Sequence, residues 1–591
     1  LLVFVSARAE GSYFAGAWPL LGAVLVVSAT ILLLLRARIS LWLLASAVSL
    51  AALGAIALAS PAWGGLPDIA WKTFDEYVVA AYALLLGSLV SGFHLRGRRL
   101  VLGGVLGGSA LMALELLYRL QAGTAPASWF DGRKVDGPVQ YHNAQGAFFA
   151  LGIPLALWAT VRAPAVVRAA GGLAVVTLTA ALLVTQSRGA LLSALAAVVL
   201  QLAFSRDARL LAHAVLAALI GGALVIPLRH VDAALVSDHG AATQFRALAG
   251  SALVGAIVLA GLCVLPRSRT IKRAMLGLVA IAVAALLAAA APRAGDLRPA
   301  IHRALNGQEP TTLPGGETRL SSLSLTGRTQ IWRVAIDAYR DAPLLGHGSG
   351  SFTAIFTRER TNHDLYVLQP HSIELEVLDE LGLPGAAAFA AFLVFLAVAL
   401  VRGRAPLADR AAGGAVVVAL LAQASIDWTF SFPALVVATL LVAGAAAGRG
   451  GGVAHAAKTA AGGMVVAVAV LAALAGPYLA THDLSRARSA KTTSARTWDL
   501  LRKARGFDPW NADVVDYQAQ VAEGAGRFQQ AAGLYGEAAK LARLSWVEEY
   551  RRARALRSGG FIPASRAACR RARSLNPLER LLEQGPCRSG A

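Results

Sequence analysis

Apolar runs of about 20 residues recur along most of this chain and constrain its fold more than any other feature. Hydrophobic residues make up 56% of the 591, and the mean hydropathy is +0.58. Because a bilayer offers the backbone no hydrogen-bond partners, each run must form a helix that satisfies its own backbone. The sequence therefore predicts an all-α polytopic transmembrane helical bundle of about 12–14 spans. The candidate spans are 17–35, 41–60, 77–93, 100–120, 144–161, 165–186, 190–204, 208–227, 247–265, 274–291, 383–401, 411–427, 433–447 and 459–480.

Arginine and lysine concentrate in the short links between alternate runs. Such links face the cytoplasm. Their contact with anionic lipid head groups accounts for the net charge of +21 without nucleic acid. With an Ala, Gly and Arg bias typical of GC-rich bacteria, the pattern predicts a multi-pass protein of a bacterial cytoplasmic membrane. The basic links are 36–40, 94–99, 162–168, 205–209, 267–273, 402–410 and 448–458.

Composition divides the chain into four segments. Leu1–Val5 resembles the end of an apolar helix, so we expect that helix to begin before Leu1. The strict alternation of spans predicts that the polar loop and the C-terminal segment are extracytoplasmic. The segments are an N-terminal transmembrane bundle at 1–292, an extracytoplasmic loop with short helices at 293–382, C-terminal transmembrane helices at 383–480 and a helical-repeat domain at 481–591.

Arg328 opens an amphipathic helix in the polar loop, with Thr326 as its predicted N-cap. Free backbone N–H groups and the helix dipole favour anions at a first helical turn. A guanidinium there makes a clamp for a pyrophosphate. The alternative is an interfacial arginine that contacts lipid phosphate. The predicted apolar face of this helix is Ile331, Trp332, Ala335, Ile336 and Tyr339.

Two further residues on the same predicted side suit phosphate and proton chemistry. Arg188 lies between two apolar helices, where a charge is costly unless it has a partner or reaches water; a snorkelling arginine is the alternative. His371 is a candidate base, because neutral histidine is common near physiological pH. A structural histidine is the alternative, and His347 and His363 in the same loop are rivals.

Other residues are candidates for lining a shared cavity. Tyr141 and Asn143 open a span on the outer side, although Asn143 also fits a helix cap. The glycines around Gly348 allow close backbone approach to a ligand, a weak signal for a phosphate loop. We predict no metal site, because Glu374, Glu376, Asp379 and Glu380 fit a solvated helix face.

The C-terminal segment carries a weak internal repeat with a period of 33–34 residues. Such a period with small packing residues resembles tetratricopeptide repeats, and two to three repeats would offer a surface for an envelope-assembly protein or a glycan. A plain helical hairpin is the alternative. Cys569 and Cys587 would pair if this segment is exported. The recurring pieces are 526–528 with 559–561, Ala531 with Ala564, and 508–509 with 576–577.

Several short motifs, in this order and topology, resemble the O-antigen ligase/polymerase superfamily of polytopic bacterial glycan transferases over roughly 75–450. Many members have Asn after the histidine where this chain has Ser372, which leaves the role of that position open. The motifs are Ser187-Arg188-Gly189, Gly327-Arg328-x-x-x-Trp332, the glycine loop at 346–350, the segment from His371-Ser372 to Gly385, and Ser425-Ile426-Asp427-Trp428.

The resemblance implies transfer of a glycan from a polyprenyl-diphosphate carrier to a hydroxyl on a glycan or lipid-anchored acceptor. It implies that Arg188 and Arg328 bind the diphosphate, that His371 is the catalytic histidine, and that no cofactor is needed. Trp332, Gly348, Tyr141 and Asn143 are the further candidates for substrate binding. We expect a metal-independent, inverting reaction, because a diphosphate is already a stable leaving group.

Other functions stay open at this stage. A polysaccharide or lipid-linked glycan transporter or flippase would carry charges deep within spans, for which Glu115 and Asp427 are the nearest candidates. A non-catalytic scaffold for envelope assembly is a third possibility. Ligase and polymerase use the same donor and residue types, so the sequence separates neither these nor the sugars and acceptors.

Overall fold

The computed structural model describes residues 2–265, 277 and 327–588, with short internal gaps. The gaps are 14–15, 36–38, 94–95, 133, 163, 238–239, 364, 449–451, 454–456, 491–493 and 544. The predicted span 274–291, apart from residue 277, lies outside the described residues, as do Thr326 and the whole of the predicted loop before Gly327.

The described chain is almost entirely helical, which confirms the predicted all-α class. Only two short antiparallel pairs of strands occur in it, β1 (Ile39–Ser40) with β4 (Gly452–Val453) and β2 (Phe130–Asp131) with β3 (Lys134–Val135). The helices are α1 (Leu2–Arg8), α2 (Trp18–Leu34), α3 (Leu41–Ala59), α4 (Pro67–Phe93), α5 (Gly97–Ala122), α6 (His142–Thr160), α7 (Ala165–Val184), α8 (Arg188–Ser205), α9 (Ala208–Ser237), α10 (Ala241–Val264), α11 (Arg328–Asp341), α12 (Phe352–Glu359), α13 (Ile373–Arg402), α14 (Leu407–Ala424), α15 (Pro433–Ala447), α16 (Ala457–Ala490), α17 (Ala495–Phe507), α18 (Ala512–Gly524), α19 (Phe528–Leu541), α20 (Trp546–Ser558) and α21 (Ile562–Leu575).

The membrane part matches the predicted spans closely. Ten of the described helices are long and apolar enough to cross a bilayer, and α2 and α15 are shorter apolar helices. Helix α6, which covers the predicted span 144–161, is buried along its whole length. A helix that is buried all round lies inside a bundle rather than against lipid. The protein is therefore a multi-pass helical bundle with α6 at its interior.

Helices α4 and α15 cross with their backbones in contact. A Cβ on Gly87 would lie 2.1 Å from the Leu441 carbonyl oxygen, and a Cβ on Gly444 would lie 2.1 Å from that of Leu84. Membrane helices approach this closely only where the residues at the crossing are small. Since α15 leads directly from the link that holds Asp427, this crossing helps to position that link.

The buried carboxylate of Asp409 connects several helices at one end of the bundle. Asp409 accepts hydrogen bonds from Arg98, 2.6 Å away, and from Arg162, 2.7 Å away. The Trp158 indole N–H also donates to it at 2.8 Å. Arg98, Arg162 and Asp409 belong to three of the predicted basic links, so the structure brings these links to one end of the bundle.

The C-terminal helices recur at intervals of 34 residues. Gly526 and Gly560 have φ of 72° and 83° and occupy equivalent turns. Helices α17, α19 and α21 all end one residue before the C-caps Asp508, Ala542 and Asn576. The predicted pairing of residue 526 with 559 was thus out of phase by one, and Ala564, predicted to match Ala531, is exposed.

A disulfide between Cys569 on α21 and Cys587 joins the segment after α21 back to that helix. This is the pairing that we expected for an exported segment. Cys263 is a free, buried thiol in α10.

The contact between α4 and α15 can be tested with Gly444→Ala. Because the new methyl group would overlap the Leu84 carbonyl oxygen, we expect the helices to separate and stability to fall by about 1–3 kcal/mol. Thermal unfolding in detergent measures this effect. Gly104→Ala is the control, because a Cβ there meets nothing within 4 Å; equal melting of both variants would contradict the proposed contact.

Candidate functional site

The site is organised around the side chain of Asp427, in the link between α14 and α15. Its Oδ2 atom accepts hydrogen bonds from the Tyr141 hydroxyl at 2.8 Å, from Asn143 Nδ2 at 2.7 Å and from Arg328 Nη2 at 2.7 Å. Its Oδ1 atom is buried and has no partner among the described residues. Asp427 is only 1% exposed, so these three donors compensate a carboxylate that has lost its water.

Arg328 is the first residue of α11, as the sequence predicts, and its side chain is 15% exposed. The N-cap residue is Gly327 and not Thr326, so the predicted cap is wrong. Besides the bond to Asp427, Arg328 Nε donates to the Ile426 carbonyl oxygen at 2.7 Å. Two bonds from different nitrogen atoms fix the plane of the guanidinium, which is how arginine presents a rigid fork of donors to an anion.

Helix α11 packs against the loop that follows it. Ile331, Ala335 and Ala338 form its buried stripe. Ile336, which was expected on this face, is 37% exposed. The buried stripe contacts Phe352 and Phe356 of α12 and Val367, so the loop has a small core of its own.

The start of α6 supplies the other side of the site. Tyr141 is the N-cap residue of α6 and makes no side-chain cap, and Asn143 lies in the first turn. Asn143 Nδ2 also donates to the Tyr141 hydroxyl at 2.9 Å, and its Oδ1 accepts from the Ser187 hydroxyl at 2.7 Å. The interpretation of Asn143 as a simple helix cap is therefore wrong: its amide bridges α6, the α7–α8 junction and Asp427.

These groups border a cleft of about 160 Å³. Its lining combines polar and apolar side chains, which suits a ligand with an anionic group joined to a less polar part. The described residues that line it are Tyr141, His142, Asn143, Arg328, Ile331, Leu365, Val367 and His371.

The ring of His371 is oriented by a hydrogen bond to a nearby backbone carbonyl group. Its Nδ1 lies 3.0 Å from the Gln369 carbonyl oxygen. Because a carbonyl oxygen can only accept, Nδ1 carries the proton and donates, and Nε2 keeps its lone pair in the neutral ring. Burial lowers the pKa of His371 below its ordinary value, although the nearby Asp427 carboxylate acts in the opposite direction. The neutral, basic form is therefore favoured at physiological pH.

The backbone is constrained at three points beside this cleft. Gln140, Gln186 and His371 all have left-handed φ, at 56°, 53° and 57°. Each such conformation costs a non-glycine residue roughly 1–3 kcal/mol and persists only where surrounding contacts hold it. Gln140 precedes Tyr141, and Gln186 precedes Ser187. These three of the segments at the site therefore each carry a turn that sets the direction of the neighbouring polar side chains.

Arg188 begins α8 next to the site and is half-buried. Ser187 before it bonds Asn143 and caps α8 through the amide of Ala190. A Cβ on Gly189 after it would lie 2.7 Å from the Gln423 amide oxygen and 3.0 Å from the Ile426 side chain. The backbone of Arg188 is thus held between two residues that contact the site, although Arg188 is not among the described residues that line the cleft.

Gly348 has a packing role away from the cleft lining. It has φ of +90°, and a Cβ there would lie 2.0 Å from the backbone nitrogen of Gly65. Its own N–H donates to the Glu380 carbonyl oxygen at 2.7 Å, and Ser349 N–H donates to the Ser60 hydroxyl at 2.9 Å. The glycine loop therefore joins α13 to the α3–α4 link, and this packing does not support the expected contact with a ligand.

Trp332 is half-buried on α11, one residue after Ile331, which lines the cleft. Its indole nitrogen is buried and has no partner among the described residues. Trp332 itself is not among the described residues that line the cleft.

The acidic turns of α13 are not the solvated face that we predicted. Asp379 is fully buried, and Glu376 and Glu380 are partly buried, so only Glu374 is exposed. Glu380 accepts from the Gly350 amide at 2.8 Å and thus holds the glycine loop. Burial follows from the packing of α13 against its neighbours, which the spacing of charged residues does not reveal.

Ser372, whose role the sequence left open, is a helix cap in this chain. Its hydroxyl accepts from the Leu375 amide and donates to Glu374 at 2.8 Å. Glu374 in turn accepts from the Ser425 hydroxyl at 2.7 Å. The residue after His371 therefore connects α13 to the same link that carries Asp427.

Sequence reasoning missed Asp427 and Ser187 as parts of the site. Asp427 was named in the motif Ser425-Ile426-Asp427-Trp428 and as a charge within a span, but was given no role in the site, although it follows Ser425-Ile426 in a short link on the predicted outer side. A carboxylate at such a position needs a cationic partner, and Arg328 was the outer arginine available to it. Ser187 stood in the motif Ser187-Arg188-Gly189, in which only the arginine was given a role. Among the described residues, no group of three or more His, Cys, Asp or Glu is arranged to hold a metal ion.

The pairing of Arg328 with Asp427 can be tested by a double-mutant cycle. Arg328→Ala and Asp427→Ala should each destabilise the protein by about 3 kcal/mol, because each leaves a buried charge without its partner. The double variant should lose less than the sum of the two. Unfolding in detergent measures all three, and simple additivity would show that the pair does not interact.

One stretch of the chain matches a known family. Residues 241–390 match the family model described as O-antigen ligase, a stretch of 150 residues or about a quarter of the 591. The matched stretch contains Arg328 and His371. No curated protein matches the chain. The match supports placement in the O-antigen ligase superfamily and a membrane glycan-transferring function at the level of the family.

Proposed function

We propose that this protein is a membrane glycosyltransferase of the O-antigen ligase or polymerase type. It moves a glycan from a polyprenyl-diphosphate carrier to a hydroxyl acceptor on the outer face of the cytoplasmic membrane. The observation that carries this proposal is the single cleft shared by an oriented arginine, Arg328, and an oriented neutral histidine, His371. The family match at 241–390 supports it.

The residues fit a single displacement at C1 of the donor sugar, in which one proton is removed, one bond forms and one bond breaks. His371 Nε2 takes the proton of the acceptor hydroxyl while its oxygen attacks C1 of the donor sugar, with inversion at that carbon. The bond from C1 to the phosphate oxygen breaks, and the diphosphate leaves with the electron pair. Since the leaving group is a stable anion, positive charge stabilises it without a general acid.

The arginine side of the cleft suits the diphosphate. Arg328 is oriented through Ile426 and Asp427, and the first turn of α11 adds N–H groups and the favourable end of the helix dipole. Asp427 offsets part of the charge of Arg328. A second cation is therefore required in this scheme, and Arg188, held next to the site, supplies it.

The apolar carrier needs a path through the bundle. A groove of about 530 Å³ lies between α8, α13 and α14, lined mainly by Leu, Val and Ala side chains. It reaches Leu421 on α14, whose C-terminal end leads to Ile426 and Asp427. In this proposal the polyprenyl tail occupies the groove, so that binding of remote groups orients the reacting carbon.

The C-terminal domain contacts the same face of the bundle as the site. Arg543 donates to the Pro61 carbonyl oxygen at 3.1 Å, and the rings of Trp71 and Trp510 lie 5.3 Å apart. The disulfide between Cys569 and Cys587 favours an oxidising compartment. Both observations support an extracytoplasmic position for the loop and this domain, where an envelope-assembly protein would find its surface.

Charged residues within the predicted spans were the main argument for a transporter, and the structure explains them in another way. Glu115 and Asp427 were the nearest candidates for a functional charge within a span, and Glu115 pairs with Arg8 and Arg119. The bonds of Asp427 to Arg328, Tyr141 and Asn143 explain it as part of the cleft without any transport role.

Transfer by purified protein from a radiolabelled polyprenyl-diphosphate glycan, with chelator present, tests the proposal. We expect wild-type turnover with an acceptor panel that includes the donor glycan itself, and product length separates polymerase from ligase. His371→Ala should lose about 10²- to 10⁴-fold in rate, because it removes the base. Arg328→Ala should lose transfer as well.

Two exposed residues provide matched controls for these variants. Arg333 lies on the exposed face of α11, and His230 is exposed in α9. Arg333→Ala and His230→Ala should keep wild-type rates. Full activity of both His371→Ala and Arg328→Ala would overturn the assignment.

The pH dependence of kcat/KM provides a separate test. A base must be neutral to act, so activity should be constant at neutral pH and fall as the pH drops through the pKa of His371. Because burial lowers that pKa, the midpoint of the acid limb should lie below the ordinary value of about 6.5. An acid limb centred above that value would contradict the role of His371.

A further inference from the structure

A buried arginine connects the C-terminal domain to the loop that borders the cleft. Arg360 follows α12 and is only 6% exposed. Its Nη1 donates to the carbonyl oxygens of His363 and Leu365, at 3.3 and 2.9 Å. Its Nη2 donates to Asn576 Oδ1 at 3.1 Å. One guanidinium thus holds a turn of the loop and a residue more than 200 positions away.

The C-terminal side of this contact is equally buried. Asn576 is the C-cap residue of α21 and is 0% exposed. Two residues later, the Leu578 carbonyl oxygen accepts a second bond from the loop, donated by His363 Nδ1 at 2.9 Å. Loop side chains therefore donate to two neighbouring acceptors at the end of α21, which fixes both the position and the rotation of the contact.

The segment held in this way is a wall of the cleft. Leu365, whose carbonyl oxygen accepts from Arg360, lines the cleft, and so does Val367. The same stretch of chain then reaches His371. The residues assigned to the diphosphate are fixed to the bundle instead, because Arg188 begins α8 and Arg328 bonds Ile426 and Asp427. A displacement of the loop would therefore move the apolar wall and the base relative to the donor side.

We propose that the C-terminal helical domain is a positioning element of the transferase site and acts on the acceptor. Asn576 and Leu578 hold residues 360–371, and this places the acceptor hydroxyl against His371. The inference rests on the proposed function for its substrate. It gives the C-terminal domain a role within the reaction, in addition to any partner that it recruits.

Asn576→Leu is the test variant, because it removes the acceptor of Arg360 without touching the cleft. The KM for the acceptor should rise about 10- to 100-fold, as expected for one lost hydrogen bond to a buried charge. The KM for the donor and kcat should stay within about twofold. Asn576→Asp, which keeps an oxygen at the same place, should restore the wild-type KM.

A control separates this role from general damage to the C-terminal domain. Glu523 bonds Arg554 and Tyr535 inside that domain. Glu523→Ala should therefore weaken the domain without changing the acceptor KM. An acceptor KM unaffected by Asn576→Leu, or raised equally by Glu523→Ala, would overturn the inference.

Hydrogen exchange of the amides of residues 361–371 gives a readout that does not depend on transfer. These amides should exchange faster in Asn576→Leu than in the wild type or Asn576→Asp. If the wild type transfers no glycan, the proposed function fails, and the exchange rates alone decide whether the contact positions the loop. Unchanged exchange in Asn576→Leu would refute the positioning role.

Discussion

One carboxylate oxygen, Oδ2 of Asp427, joins the parts of this molecule on which the site depends. It accepts hydrogen bonds from Tyr141 and Asn143 at the start of α6 and from Arg328 at the start of α11. A carboxylate this deeply buried is stable only while its donors stay in place. The constraint therefore acts in both directions: the donors hold the link between α14 and α15, and the link orients the guanidinium of Arg328.

The bundle around this point is built to resist displacement. Helix α6 is buried along its length, and α15 packs against α4 at Gly87 and Gly444 with direct backbone contact. Polar groups carried by such elements keep their positions better than groups on free loops. The loop that supplies His371 gains comparable support from elsewhere. The glycine loop and Glu380 hold one side of it, and Arg360 fastens the other to the C-terminal domain.

Much of the fold followed from local patterns, and the failures have identifiable causes. Apolar runs predict spanning helices because the bilayer acts on each run independently of its neighbours. The prediction for the acidic turns of α13 was wrong because their burial depends on neighbouring elements and not on the local sequence. Charged residues usually mark a solvated face, whereas Asp379 is buried by packing that is remote in sequence. The repeat in the C-terminal domain was out of phase by one residue, because a glycine match at 559 concealed the left-handed turn at Gly560.

The sequence by itself determined the helical membrane class, most spans and the residue types of the site, since hydropathy and motif spacing are local properties. It also singled out Tyr141, Asn143, Arg328 and His371, which the structure brings to one cleft. Only the tertiary structure decided that Asp427 joins them, that Gly348 packs against Gly65, and that Asn576 reaches the loop beside His371. Those contacts link residues far apart in the chain, and their energies depend on burial and mutual orientation, which exist only after the helices have packed.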